Sequence, residues 1–213
     1  MTVREALNNR FSCRKFSSQP VTKDMLEDIF KDAFRTPSCE NSQPWEVYVA
    51  GTEAMERLRA EYEKSRKAKI PADLSNRFNG RWTEEMAPRI DEYFDGIVEH
   101  EAKGNFDYTM QKRNLFYAPV MIFLCIDKEL PDWSLFDTGM FAQSLMLSAS
   151  EHGLATMASA VSVSYPEAVR SVLNIPENKS IVIGVGIGYP DKEAPINDFR
   201  TTRKETGEIH YIL

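Results

Sequence analysis

The run APVMIFLCID, residues 118–127, is apolar at nearly every position. A strand with one wet face would alternate polar and apolar side chains. An unbroken apolar run of this length reads as a central strand covered on both faces. The rest of the chain offers elements to cover it. VTKDMLEDIFKDAF (21–34) sets Met25, Leu26, Ile29, Phe30, Ala33 and Phe34 on one stripe behind Thr22 as N-cap, which predicts an amphipathic helix. WEVYVAG (45–51) alternates Trp45, Val47 and Val49 with Glu46 and Tyr48, a strand pattern, and a charged helix follows from Thr52 to about Lys67. SLFDTGMFAQSLMLSASEHG (134–153) predicts a long helix, apolar on most faces and stopped by Gly153. LATMASAVSV (154–163) reads as a strand. SYPE (164–167) matches a capping box that opens a short helix with Pro166 in its first turn, and SIVIGVGIGYP (180–190) reads as another buried strand. Residues 68–112, with helical stretches and a mid-segment Pro88, read as a helical excursion over the core. The alternation of strands and helices implies an α/β or α+β sandwich. At 213 residues and 42% hydrophobic, one domain with a sizeable core accounts for the chain.

The charge balance narrows the function. A net charge of −6 argues against a sequence-independent grip on nucleic acid. MTVREALNNRF lacks the apolar run of a signal peptide, and no segment approaches the roughly 20 apolar residues of a membrane span. Cys13, Cys39 and Cys125 are scattered without a CxxC pair, as are His100, His152 and His210, so neither a disulfide framework nor a metal site is readable. These features together suit a soluble protein of a reducing, cytoplasmic compartment.

Several stretches carry possible chemistry. In RTPSCENSQPW (35–45), Pro37 and Pro44 punctuate, while Ser38, Asn41, Ser42 and Gln43 supply more donors and acceptors than a helix-to-strand connection needs. A plain turn and a ligand-gripping loop both fit. Gly184, Gly186 and Gly188 fall at i, i+2 and i+4, and a dinucleotide fingerprint would need glycine where Tyr189 stands. On a strand they leave one face bare for a close neighbour, a helix ahead of a ligand. Cys39 has no histidine nearby in sequence and reads as an inert thiol. The charge runs at 53–69 and 84–101 read as solvated helix faces. NNRFSCRKF (8–16) concentrates Arg10, Ser12, Arg14 and Lys15, and in extended backbone Arg10, Ser12 and Arg14 would point one way. A basic surface strand is the plain alternative. A second basic cluster, NDFRTTRKE (197–205), lies at the other end of the chain, and two such clusters suit one phosphate group through bidentate guanidinium contacts.

These segments together resemble one family. NRFSCRKF is similar to the RRSxRxF opening of the nitroreductase family of FMN-dependent oxidoreductases, and TPSCENSQPWEVYV to its aPSxxNxQPWxFxVV segment. RNLFYAPVMIFL resembles its FFxAPv strand, DTGMFAQSLMLSASEHGLAT its long dimer helix and following strand, and IVIGVGIGYPD…FRTTR its closing strand and terminal arginine. The resemblance spans nearly the whole chain except 68–110.

It implies an α+β three-layer sandwich, a mixed, mostly antiparallel sheet flanked by helices, in a domain-swapped-type homodimer with FMN bound between the subunits. Arg10 and Arg203, with Arg200, would hold the phosphate, and Phe11 and Ser12 the ribityl–phosphate end. Arg14 would face the N1/C2=O edge, where positive charge stabilises the anionic reduced flavin. Pro37, Ser38, Cys39 and Asn41 would edge the flavin held by the other subunit. Ser159–Ala160 would bring a backbone N–H near N5, although MASAVSVS lacks the family's usual proline or glycine there. Gln111 and Asn114 fall where some members place a ring-binding Asn and Lys. The implied chemistry is ping-pong reduction of nitroaromatics or quinones by NAD(P)H, with no catalytic side chain. A reductive dehalogenase of the same fold, whose lid uses Glu, Tyr and Lys contacts of the types that EYEKSRKAK and RWTEEM contain without matching its pattern, and a non-catalytic FMN-binding protein are the alternatives.

Overall fold

The structure, a computed structural model, describes residues 1–72 and 82–205. Its centre is a four-stranded sheet of β1 (Glu46–Ala50), β2 (Val120–Asp127), β3 (Ala155–Ser159) and β4 (Lys179–Gly188), ordered β1-β2-β4-β3 with every pairing antiparallel. A bulge interrupts the β2–β4 ladder, where Leu124 faces Ile183 and Cys125 faces Ile181. β2 is the doubly covered strand the apolar run predicts, and its alternation decides which layer each side chain enters. Met121, Phe123 and Cys125 meet one cluster with Met55, Leu58 and Tyr62 of α3 (Thr52–Lys67) and Val169 and Val172 of the short helix Pro166–Leu173. Val120, Ile122 and Leu124 meet the other, with Leu26, Ile29 and Ala33 of α2 (Lys23–Ala33) and Phe141, Leu145 and Ala149 of the long helix Trp133–Glu151. Fully burying such a side chain contributes about 1.5–3 kcal/mol. The helix–sheet–helix sandwich follows from both faces of β2 being apolar.

Thr22 caps α2 through a hydrogen bond from the Met25 N–H (3.3 Å). A short α1 (Val3–Asn9) precedes it, closed by a capping box between Thr2 and Glu5. The excursion contains α4 (Ala87–Ala102) and α5 (Tyr108–Arg113). It builds a small core of its own, in which Ile97 and Phe106 pack on Ala194, Ile196 and Phe199 from near the end of the chain. Residues 73–81 of the excursion, Arg81 of RWTEEM and His210 lie outside the described residues. The long helix, α6, stops where Gly153 takes φ +71°, a conformation glycine adopts without strain. Phe141 of α6 stacks on Trp45 at 4.8 Å between ring centroids and meets Phe34 edge-on at 5.3 Å.

Three local expectations need correction. The strand at 154–163 ends at Ser159, and residues 160–163 form a 3₁₀ turn. The turn lets the Ser162 hydroxyl reach back to the Gly184 N–H (2.8 Å) and the Ser159 carbonyl (2.5 Å). The capping box at 164–167 does not form: Ser164, at φ −64° and ψ −30°, finishes that turn in helical geometry, and α7 (Pro166–Leu173) begins after Tyr165 with no side-chain cap. Nor is it a long helix that fills the bare face of β4. Ser162 and Met121 press on Gly184, and Pro119 and Phe16 on Gly188.

Candidate functional site

The two ends of the chain meet beside β3. Ser12 forms a parallel bridge with Thr156, and the Cys13 N–H donates to the Thr156 carbonyl at 3.0 Å. Phe16 then pairs with Pro190 and the Ser17 N–H donates to the Tyr189 carbonyl at 2.8 Å, so the N-terminal segment runs on past the end of β4. One buried side chain fixes the closing segment onto it. Asn197 accepts from the Arg14 N–H (2.9 Å) and the Lys15 N–H (3.3 Å) through Oδ1, and donates from Nδ2 to the carbonyls of Lys15 (2.7 Å) and Asp191 (2.9 Å). Nothing in NDFRTTRKE marks this asparagine as a clamp, because its role exists only once the ends have met.

The junction encloses a cleft of about 430 Å³. Arg10, Phe11, Ser12 and Arg14 line it from one side and Arg200, Thr201 and Arg203 from the other, with Tyr93 of α4 and Phe199 between. Arg10 is half-buried, and its guanidinium makes no hydrogen bond or ion pair among the described residues. Burial holds its pKa below the ordinary value, and the nearby Arg203 and Arg200 lower it further. Arg200 lies over the Phe11 ring at 4.1 Å and donates to the carbonyls of Asn197 (2.6 Å) and Phe199 (3.1 Å); Arg203 donates to Thr201 and Thr202. None of the three guanidiniums meets a carboxylate among the described residues, although the chain carries more acidic than basic groups.

Arg14 is 4% exposed, lying over the Phe199 ring (5.2 Å) and the Tyr93 ring (5.7 Å), and its Nε has no partner. Burial pushes the neighbouring Cys13 thiol up to about 12, which leaves it protonated and unreactive. The arrangement suits an anion: three guanidiniums without carboxylate partners line a cleft with an aromatic wall, and a fourth, Arg14, lines it too.

The remaining predicted residues stand elsewhere. Ser159, at the end of β3, is buried with its Oγ unpartnered, and Ala160 is half-buried. Gln111 lies in α5 and Asn114 caps it, its amide donating to the Met110 carbonyl at 2.9 Å. Pro37, Cys39 and Asn41 are exposed and Ser38 half-buried in a loop against α6. None of these lines the cleft in a single chain.

The profile of the family described as "Nitroreductase family" matches residues 7–189. The chain belongs to the nitroreductase family. Its relatives there include a chloronitrobenzene nitroreductase of Comamonas testosteroni, 30% identical over 97% of this chain and 95% of the relative, and a 4-nitrobenzoate reductase of Pseudomonas putida, 28% identical over 96% and 92%. Among solved structures, an FMN- and NADPH-dependent nitroreductase, NfnB, from "sphigopyxis sp. strain HMH" superposes with a TM-score of 0.90 at 27% identity, covering 100% of this chain and 99% of that one. The nitroreductase fold accounts for the three-layer α+β architecture. Sequence reading missed Tyr93, Phe199 and Asn197 at the cleft. Phe199 sits inside the basic cluster FRTTR, where the charges drew attention and the aromatic did not.

Proposed function

We propose that the chain is an FMN-dependent oxidoreductase that uses NAD(P)H to reduce nitroaromatic, quinone or related electron-poor acceptors. The observation that carries this reading is the set of three guanidiniums without carboxylate partners, drawn from both ends of a nitroreductase-family chain. In it Arg10 and Arg203, with Arg200, take the FMN phosphate, while Phe11 and Ser12 border the ribityl end. Arg14 brings a fixed positive charge towards the pyrimidine side of the ring. Its buried, unpartnered Nε and the unpartnered Ser159 Oγ are polar atoms that a bound polar group would satisfy. Bound FMN would supply the redox chemistry, taking hydride from NAD(P)H in one half-reaction and passing electrons to the acceptor in the other. The protein's part is to hold, orient and shield; Ser159–Ala160 and, more distantly, Gln111 and Asn114 belong to the ring side.

The names of the relatives suggest the test: titrate the protein with FMN, then follow NADH and NADPH oxidation with 4-nitrobenzoate, chloronitrobenzene and a quinone as acceptors. FMN-loaded protein that turns over with none of these would leave only a flavin-binding role.

The same reading makes the protein a homodimer in which the loop holding Pro37, Ser38, Cys39 and Asn41 edges the partner subunit's flavin. Support comes from apolar surface that one chain leaves uncovered: Trp133, Leu135 and Phe136 at the start of α6, Val3 and Leu7 on α1, and Phe34 are all exposed. Within this patch the Trp133 and Phe136 rings lie 5.4 Å apart. Light scattering at micromolar concentration is expected to give twice the mass of one chain; a monomeric mass with FMN bound would overturn the shared site. Residues 1–213 then act as one domain, with α4 and α5 as its excursion. No described helix is long and apolar enough to cross a membrane.

A further inference from the structure

Asp137 of α6 is 1% exposed. Its Oδ2 accepts one hydrogen bond, from the Cys39 N–H at 3.1 Å, and its Oδ1 is buried with no partner. No cation contacts it among the described residues. Burying a carboxylate on one hydrogen bond is costly, so the position needs a reason beyond packing.

The loop it holds supplies one. Glu40, Asn41 and Gln43 all take left-handed backbone, at φ 51°, 57° and 44°, where residues with a Cβ are strained. Pro37, Cys39, Glu40 and Asn41 are exposed, so no apolar side chain among them pins the loop. Polar ties do so instead. The Ser38 Oγ accepts from the Gln43 N–H at 2.9 Å, and the Thr36 hydroxyl donates to Ser144 of α6 at 2.7 Å. Between these two, and among the described residues, Asp137 ties α6 to the backbone of the 39–41 turn itself.

We propose that Asp137 is a positioning residue: by fixing the Cys39 N–H it sets the strained turn that aims Asn41 outward. It acts through the loop and touches neither FMN nor substrate. The inference rests on the reading of residues 37–41 as a flavin edge.

The test is a double-mutant cycle read as the FMN dissociation constant, with the melting temperature of the apoprotein followed alongside. Asp137→Ala removes the acceptor and Cys39→Pro removes the donor, with Cys39→Ala as the control for the side chain lost along with it. Proline is compatible there, because Ser38 is extended (φ −144°, ψ 160°) and residue 39 opens the turn. Each is expected to weaken FMN binding at least fivefold, with the double variant no weaker than the worse single, since both break one bond. Asp137→Asn keeps an acceptor and is expected to recover most of the affinity. Asn41→Ala is the reference. If it weakens FMN binding while Cys39→Pro or Asp137→Ala stays within twofold of wild type, or if the two losses multiply, the positioning role is wrong and the flavin-edge reading stands. If Asn41→Ala binds FMN like wild type, the flavin-edge reading falls and the proposal with it. Should Asp137→Ala fail to fold, Cys39→Pro alone decides, against Asn41→Ala.

Discussion

Replacing Arg10 with alanine is expected to weaken FMN binding by about 1.5–3 kcal/mol, the usual worth of a hydrogen bond to a charged group, or roughly ten- to more than a hundredfold. Arg10 sits half-buried beside Arg203 and Arg200, and both burial and its neighbours disfavour its charge. A cation held where burial and neighbours oppose it is placed for an anion that arrives later. The sign of the pKa shift separates this from a folding defect. Because the folded chain lowers the pKa, the charged form is destabilised by folding, so removing the charge relieves the apoprotein. Arg10→Ala is therefore expected to lose FMN while its apo melting temperature holds or rises. Arg10→Lys keeps the charge but not the two-pronged geometry, and its loss should be intermediate. Raised salt should weaken the wild type more than the alanine variant. An Arg10→Ala protein with unchanged FMN affinity would remove this residue from the site.

How much of this was legible in the sequence depends on whether the signal was local. β2 was readable because a strand covered on both faces leaves an unbroken apolar run, and α6 because its end needed a left-handed residue that Gly153 supplied. The charges of the cleft were readable as charges: Arg10, Arg14, Arg200 and Arg203 stand out in an acidic chain. What joins them was not. Asn197 makes four hydrogen bonds, to Arg14 and Lys15 some 180 positions away and to Asp191 nearby, and its residue type is ordinary for a loop. MASAVSVS alternates as a strand would, yet the chain turns at Ala160 because a hydroxyl at 162 has a partner on β4 that no local pattern encodes. Leu115, Phe116 and Tyr117 all take φ near +50° just before β2, a conformation their side chains disfavour. Only the tertiary setting holds them there. Tyr93 escaped notice for a related reason: the excursion shows its purpose only when folded over the closing segment.

The second large effect concerns the bare face of β4, behind the end of β3. An alanine Cβ at Gly184 would lie 2.7 Å from the Ser162 Cβ, closer still to its Oγ, and 2.9 Å from the Met121 sulfur. Met121 can swing its thioether aside. Ser162 cannot move cheaply. It is fully buried, its Oγ accepts from the Gly184 N–H (2.8 Å) and donates to the Ser159 carbonyl (2.5 Å), and its own carbonyl accepts from the Tyr62 hydroxyl (2.5 Å). Displacing it overpacks the layer, at about 1–3 kcal/mol, and strains hydrogen bonds each worth roughly 1 kcal/mol. The stiffer unfolded chain returns about 0.4–1 kcal/mol. A net loss of about 2–3 kcal/mol follows, which for a chain of this size lowers the melting temperature by about 5–10 °C. Ser162→Gly in the same chain removes the obstructing atoms and should recover part of that loss, so the two changes will not add. Because Ser162 holds the Ser159 carbonyl, Gly184→Ala should also disturb the end of β3 and weaken FMN binding in protein that is still folded. A variant that melts within 2 °C of wild type would show that the 160–163 turn yields freely, and that the bare face of β4 is not what holds Ser159–Ala160 in place.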